Sequence, residues 1–347
     1  MSMQEGNHRT MDRRTFLRYS GILGVGVAFG GLMPVSESVA FNRKLYKVTR
    51  ARLSMGTFAA ITVMHSSRTE ADEVIGDAFD EMDRVSRLLN RYQSASAIGT
   101  LNRDGYLADL PSEVSEVIAR SLHFHKASGG AFDITVKPLV DLYKEHFAAY
   151  QRPPSEAKVN KVLDRVDAGA LRFDGQSVRF AKEGMGITLD GIAKGYIIDC
   201  GAKVIERHGI KHALINAGGD IRAIGGKDSR TAWKVAIQNP DKDGPYVDTI
   251  TMMNGAIATS GNYEVYFDRE KLYHHIVSPK TGRSPLESAS VTVLADNVMD
   301  ADALSTAVFV LEPAAGKRFI EKMPKTECFI LTAADGKKIA SSRWPSA

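Results

Sequence analysis

LYHHIVSPKTGRSP (272–285) and NVMDADALSTAVFVL (297–311) are the two stretches from which the rest of the chain can be read. The first ends an apolar run on a pair of histidines, His274 and His275. It then turns through Ser278-Pro279-Lys280-Thr281-Gly282, where Pro and Gly fix the backbone and Thr281 adds a hydroxyl. The second has a helical pattern in which Asp302 and Thr306, four residues apart, share one face. One carboxylate and one hydroxyl are too few oxygens for calcium. They suit magnesium, which keeps waters and takes further ligands from a substrate phosphate. A histidine turn beside a sparse magnesium site points to chemistry on a phosphate ester.

Working outward, the spacing predicts strands over 45–52 and 57–64, joined through Ser54-Met55-Gly56. A helix over 70–90 follows, with Val74, Ile75, Ala78, Met82 and Val85 on one apolar face. The polar stretch 91–100 breaks it, and a second helix runs from Ser112 to Gly129-Gly130. The segment 131–143 mixes β-branched residues with Pro138 and reads as a loop or edge segment. Then come a short charged helix to about 166, a hairpin over 170–180 turning at Asp174-Gly175, and a helix over 192–208. A strand over 213–216 precedes further strands over 233–238, 249–253, 263–267, 272–277 and 290–294. Helices over 300–311 and 314–322 and two final strands complete the chain. Helices grouped apart from strands favour an α+β fold.

At 347 residues, 44% hydrophobic and 25% charged, the composition is that of a soluble globular protein with ample core. The net charge of +4 comes without a dense basic run, so nucleic acid is not an expected partner. Residues 1–40 read as an export signal: Asp12-Arg13-Arg14-Thr15-Phe16-Leu17-Arg18 resembles the twin-arginine consensus, 21–33 is apolar, and Ser38-Val39-Ala40 offers small residues for cleavage. The apolar run is short and glycine-rich for a membrane span. The expected location is the periplasm, reached already folded, or the inner membrane if the signal stays uncleaved. The remainder, 41–347, reads as one domain with room for two lobes. The two cysteines, Cys200 and Cys328, leave a disulfide open.

Four turn-centred stretches stand out: Met55-Gly56-Thr57, Ala131-Phe132-Asp133, 189–195 and 216–220. None is a Walker loop, which needs a lysine followed by Ser or Thr after its glycines. Gly191 to Gly195 lies at a helix start, where unpaired N–H groups favour a phosphate, and Lys194 adds charge. Each feature also has a plainer reading. Asp302 can complement a helix dipole, Gly218-Gly219-Asp220 can be a structural junction, and His275 can be a core histidine. His123-x-His125 reads as surface, and Tyr92 and Phe132 as either ring stackers or core. Together the residues point to a magnesium-dependent nucleotide site.

In order, these pieces resemble the FAD:protein FMN transferase family of the ApbE type. The matching segments are MGTFAAITV (55–63), RYQSASAIGTLN (91–102), GGAFDITVKPLVDLY (129–143), LDGIAKGYIID (189–199), INAGGDIRAIG (215–225), HHIVSPKTGRSP (274–285) and DADALSTAVFVL (300–311). The resemblance implies an α+β fold of mixed or antiparallel sheets with flanking helices, with FAD and metal held between two lobes. It implies magnesium-dependent transfer of FMN from FAD to a threonine of a partner protein, with release of AMP. The partner would be a membrane or periplasmic electron-transfer protein bearing an acidic-small-small-threonine motif. By resemblance the flavin contacts fall on Met55, Tyr92, Ala131, Phe132, Asp133, Lys194 and Ile276. The metal ligands fall on Asp302, Thr306 and the carbonyl of Gly191, with Met299 as a further carbonyl, and His275 is the proton acceptor. Two positions depart from the family: Thr188 and Ser278 stand where many relatives have aspartate, and Asp190 is displaced by two. Thr188 can still hydrogen-bond the ligand but brings no charge. FAD hydrolysis to FMN and AMP, or FAD binding without catalysis, are the alternatives.

Overall fold

The computed structural model describes residues 40–41, 45–241, 245–263, 265–268 and 272–346. The expected export signal thus lies outside the described residues, Ala40 excepted. Cys200 and Cys328 are both unpaired, buried thiols.

Fourteen strands and eight α-helices are described. In chain order they are β1 Ala40–Phe41, β2 Leu45–Ser54, β3 Thr57–His65, α1 Arg68–Leu89, α2 Ala97–Asp104, β4 Tyr106–Leu107, α3 Ser112–Ala127 and α4 Lys137–Tyr150. There follow α5 Glu156–Leu163, β5 Leu171–Phe173, β6 Val178–Phe180, α6 Ala193–Arg207, β7 Ala213–Ala217, β8 Asp220–Ile224, β9 Trp233–Ile237 and β10 Asp248–Met252. The chain finishes with β11 Gly255–Gly261, β12 Ser288–Ala295, α7 Val298–Val310, α8 Pro313–Ile320, β13 Glu327–Thr332 and β14 Lys338–Ala340.

Nine strands form one sheet in the order β1-β2-β3-β7-β8-β11-β12-β13-β14, and every pairing in it is antiparallel. Alternation builds its two faces. Ala59, Ile61 and Val63 of β3 are fully buried because every second side chain points to the same side. On that side lie α1, α6 and α7. Ser67 caps α1 by accepting the Glu70 N–H at 3.3 Å, and the stripe Ala71, Val74, Ile75, Ala78, Phe79, Met82, Val85 and Leu89 is buried. Burying one such large apolar side chain contributes about 2 kcal/mol. On the opposite side the β9–β10 hairpin sets Val235, Ile237 and Ile250 against Ile221, Ile257 and Phe329. Trp344 closes this second core, its indole N–H donating to Asp248 at 2.7 Å.

The α+β expectation holds, and four local readings need correction. Residues 137–150 form α4, because Pro138 stands in the first helical turn, where its missing N–H has no intrahelical partner to lose. Within the expected polar break, Ser96 accepts the Gly99 N–H at 2.8 Å and starts α2. The central strand β11 is absent from the sequence reading. Its residues, GAIATSG, are small on the buried face, where Ala256 and Ala258 lie against α7. Residues 263–267 and 272–277 are not regular strands among the described residues; a single antiparallel bridge joins Tyr266 and His274. Their place is secured instead by rings: Tyr143 of α4 stacks on Phe267 at 6.4 Å, and Phe147 meets Tyr273 at 5.2 Å. The Tyr143 hydroxyl donates to the Gly282 carbonyl at 2.9 Å, tying α4 to the histidine turn.

Candidate functional site

Two tight turns meet at one end of the sheet. Between β2 and β3, Met55 takes a left-handed φ of 54° and Gly56 one of 75°. Between β7 and β8, Gly218 donates its N–H to the Phe58 carbonyl at 3.1 Å. A Cβ on Gly218 would lie 2.7 Å from the Thr57 hydroxyl, so only glycine allows this approach. The turn delivers Asp220, 1% exposed, to an ion pair with Lys194 at 3.0 Å. The Thr259 N–H donates to its other oxygen at 3.3 Å. The sequence reading took Gly218-Gly219-Asp220 as a junction and missed this pair. The one clue was an acid directly after paired glycines at the end of an apolar strand.

Beside it, α7 is held at its start by three devices. Asn297 accepts the Asp300 N–H at 2.8 Å. Arg120 of α3 holds the Asp300 carboxylate with Nε at 2.7 Å and a second hydrogen bond from Nη2. Asp199, buried in α6, accepts the Val298 N–H at 3.1 Å and the Met299 N–H at 2.8 Å. Burial pushes the Asp199 carboxyl up to about 6, against the pull of those two donors. One turn on, Asp302 is buried and accepts the Gly195 N–H at 3.0 Å. Burial, then the neighbouring Asp220, raises its carboxyl to about 7, with Lys194 opposing. The next turn presents Thr306, 3.3 Å from the Ser260 hydroxyl. Gly191 lies against it: an added Cβ would come 2.8 Å from Thr306 Oγ1.

The expected ligands Gly191, Asp302 and Thr306 therefore converge, with Met299 at the crossing of α6 and α7. There a Cβ on Gly195 would lie 2.4 Å from the Val298 carbonyl oxygen. The Asp302 carboxylate and the Thr306 hydroxyl, with the Gly191 carbonyl as the expected third ligand, would make an all-oxygen donor set, which suits a hard divalent cation. A cation would also offset the cost of keeping Asp302 ionised in a dry setting beside a second acid. Among the described residues no group of three or more His, Cys, Asp or Glu is placed to hold a metal.

The two histidines separate. His274 is fully buried, its Nε2 donating to the Pro285 carbonyl at 2.9 Å and its ring edge-on to Phe309 of α7 at 5.5 Å. Burial, helped by His275, lowers it to about 4, so it stays neutral. His275 is half-buried, with Nδ1 3.0 Å from the Val265 carbonyl. A carbonyl only accepts, so Nδ1 carries the proton and Nε2 the basic lone pair. Ile276 is buried in the main core. The turn after it forms as expected, and the Ser278 hydroxyl accepts the Lys280 and Thr281 N–H groups at 3.3 and 3.4 Å. An aspartate there would accept the same two donors, so the turn survives the serine.

A third cluster is less directly joined to the ligands. Ala131 and Phe132 are buried, and Phe132 packs edge-on against Phe124 at 6.4 Å. Asp133 is engaged by the Thr135 N–H at 2.7 Å, the Thr135 hydroxyl at 2.5 Å and His125 at 3.2 Å. His125 is thus no simple surface histidine: the Asp133 carboxylate raises its pKa. Thr188 is buried; its N–H donates to the Ile134 carbonyl at 2.8 Å, and its hydroxyl accepts the Asp190 N–H at 3.2 Å. Asn102 brackets Ile187 through both backbone groups at 2.7 and 2.9 Å. Tyr92 is 67% exposed, with the Arg91 guanidinium 4.4 Å from its ring centre. A surface recess of about 560 Å³ between α1 and α6, lined by Glu81, Arg84 and Lys203, contains none of these residues.

With this geometry in hand, the comparisons are specific. The profile of the ApbE family matches residues 55–330. The FAD:protein FMN transferase of Escherichia coli (strain K12) is 29% identical over 282 residues, 78% of this chain and 80% of that protein. The solved ApbE protein of Thermotoga maritima superposes with a TM-score of 0.76 at 29% identity, covering 86% of this chain and 97% of that one. The flavin transferase ApbE of Vibrio cholerae gives 0.72 at 27%, covering 86% and 98%.

Proposed function

The chain belongs to the ApbE family, and from that premise we propose that it transfers FMN from FAD to a threonine of a partner protein, releasing AMP. The observation that carries this reading is the convergence of Gly191, Asp302 and Thr306 beside the Lys194–Asp220 pair at the glycine-turn end of the sheet. Magnesium is the cation we assign to the oxygen set; when bound it supplies charge neutralisation at the pyrophosphate.

The chain's own groups do the rest. Lys194, paired with Asp220, offers ammonium N–H donors to the phosphates. The glycines let backbone approach them closely. Nε2 of His275 accepts the proton of the threonine hydroxyl. The threonine oxygen then forms a bond to the FMN phosphorus as the anhydride bond breaks, and the departing phosphate oxygen stays with AMP. Met55, Tyr92, Ala131, Phe132, Asp133, Thr188 and Ile276 are the proposed surroundings of the flavin nucleotide. The twin-arginine pattern at 12–18 supports a periplasmic setting and a client among exported or membrane-bound redox proteins.

Incubation of the protein with FAD, with and without magnesium, and an acceptor bearing an acidic-small-small-threonine motif tests the reading. Mass spectrometry of the acceptor should show the mass of FMN less water, with AMP formed in parallel and only with magnesium. AMP and FMN without an adduct on any acceptor would make the protein a hydrolase. Bound, uncleaved FAD would leave a binding protein.

A further inference from the structure

Arg91 stands in the polar break after α1, yet its side chain is only 6% exposed. Its guanidinium joins three segments. Nη1 donates to Asp141 of α4 at 3.2 Å, Nε to Asp190 at 3.0 Å, and Nη2 to the Tyr92 hydroxyl at 2.8 Å, while the plane covers the Tyr92 ring. A lysine cannot reproduce this, since a point charge lacks the fork and the flat face. Asp141 has a second partner, Lys137 at 2.5 Å. Asp190 is joined by backbone to Gly191, the residue packed on Thr306.

Asp190 places a negative charge next to a site assigned to a diphosphate. Left unbalanced, it would repel that ligand. Arg91 cancels it, and in doing so fixes the exposed Tyr92 ring relative to the Asp190–Gly191 backbone. Resting on the reading that Tyr92 meets the flavin ring and Gly191 lies at the pyrophosphate, we propose that Arg91 is a positioning residue. It holds the ring-binding and phosphate-binding ends of the FAD site in one relation and neutralises Asp190 between them.

The test measures FAD affinity by flavin fluorescence, with magnesium and without acceptor, so that it does not depend on transfer. Arg91→Ala should weaken FAD binding about tenfold, equivalent to 1.4 kcal/mol. Arg91→Lys, which keeps the charge and the fold, should fall between it and the wild type. The double variant Arg91→Ala/Asp190→Asn should recover much of the lost affinity, which a merely structural role for Arg91 would not produce. Unchanged affinity in Arg91→Ala, wild-type affinity in Arg91→Lys, or a double variant weaker than Arg91→Ala would each overturn the proposal. A wild-type protein that binds FAD but never yields an FMN adduct would instead sink the transferase reading.

Discussion

The crossing of α6 and α7 and the corner around Arg91 and Tyr92 serve the same site by opposite means. At the crossing, Gly195 lets two helices touch backbone to backbone, and the carboxylates of Asp199 and Asp302 are buried and accept backbone N–H donors. At the corner, Tyr92 is 67% exposed and its order comes from the charged side chain of Arg91. The end assigned to a small hard cation is thus fixed by packing, with little room to adjust. The end assigned to a large planar ring is fixed by electrostatics and stays open to solvent.

The adjacent histidines give the largest expected contrast. His275→Ala should lower transfer about a thousandfold while FAD binding stays measurable, as expected for loss of a proton acceptor. His274→Ala should instead lower the melting temperature, because it empties a buried volume against Phe309. Parallel rate and melting measurements separate them, and swapped phenotypes would break the assignment. Next, Gly195→Ala should destabilise the fold by about 3 kcal/mol in urea titration, since its methyl group meets the Val298 carbonyl and neither backbone can yield. A neutral result would show that the crossing is softer than its geometry.

Acid stability sharpens the comparison further. His274 is lowered from 6.5 to about 4, so the unfolded chain binds its proton first, and about 3 kcal/mol of stability is lost as pH falls from 6.5 toward 4. Asp199 is raised from 3.8 to about 6, so the folded chain binds its proton first and recovers a similar amount, about 3 kcal/mol, over nearly the same window. These two contributions oppose each other, and Asp302, raised to about 7, adds a further gain on acidification. Asp199→Asn removes one gain, so its denaturation midpoint at pH 4.5, taken relative to that at pH 7, should fall below the wild type's. The smallest effect expected is at the turn: Ser278→Ala should cost about 1 kcal/mol and Ser278→Asp almost nothing, by thermal melting.

What could be read from the sequence follows the same division. The apolar stripe of α1, the hairpin at Asp174-Gly175 and the pairing of Asp302 with Thr306 on one helical face all carry a local period or a turn residue. The central strand β11 carries neither, because its buried face needs alanines rather than large side chains where α7 lies close. Pro138 misled for a related reason: the same residue that breaks a strand is welcome at the start of a helix. Arg91, Asp199 and Asp220 were invisible as partners, since ion pairs and caps between remote segments leave no period in either. A lone acid inside the apolar helix run at Asp199 and an acid after paired glycines at Asp220 were the only hints. The shared face of Asp302 and Thr306 was legible; the charges that hold their surroundings were not.

The cap that Asp199 places on α7 spans 99 residues of chain, and the Gly195–Asp302 hydrogen bond spans 107. Neither can form until α7 has been synthesised, by which time β2, β3 and α1 have long had partners at hand. Contacts so far apart in sequence close late and slowly. This end of the molecule therefore assembles late, and a growing or truncated chain ending before α7 has no competent pocket in which to trap a flavin nucleotide.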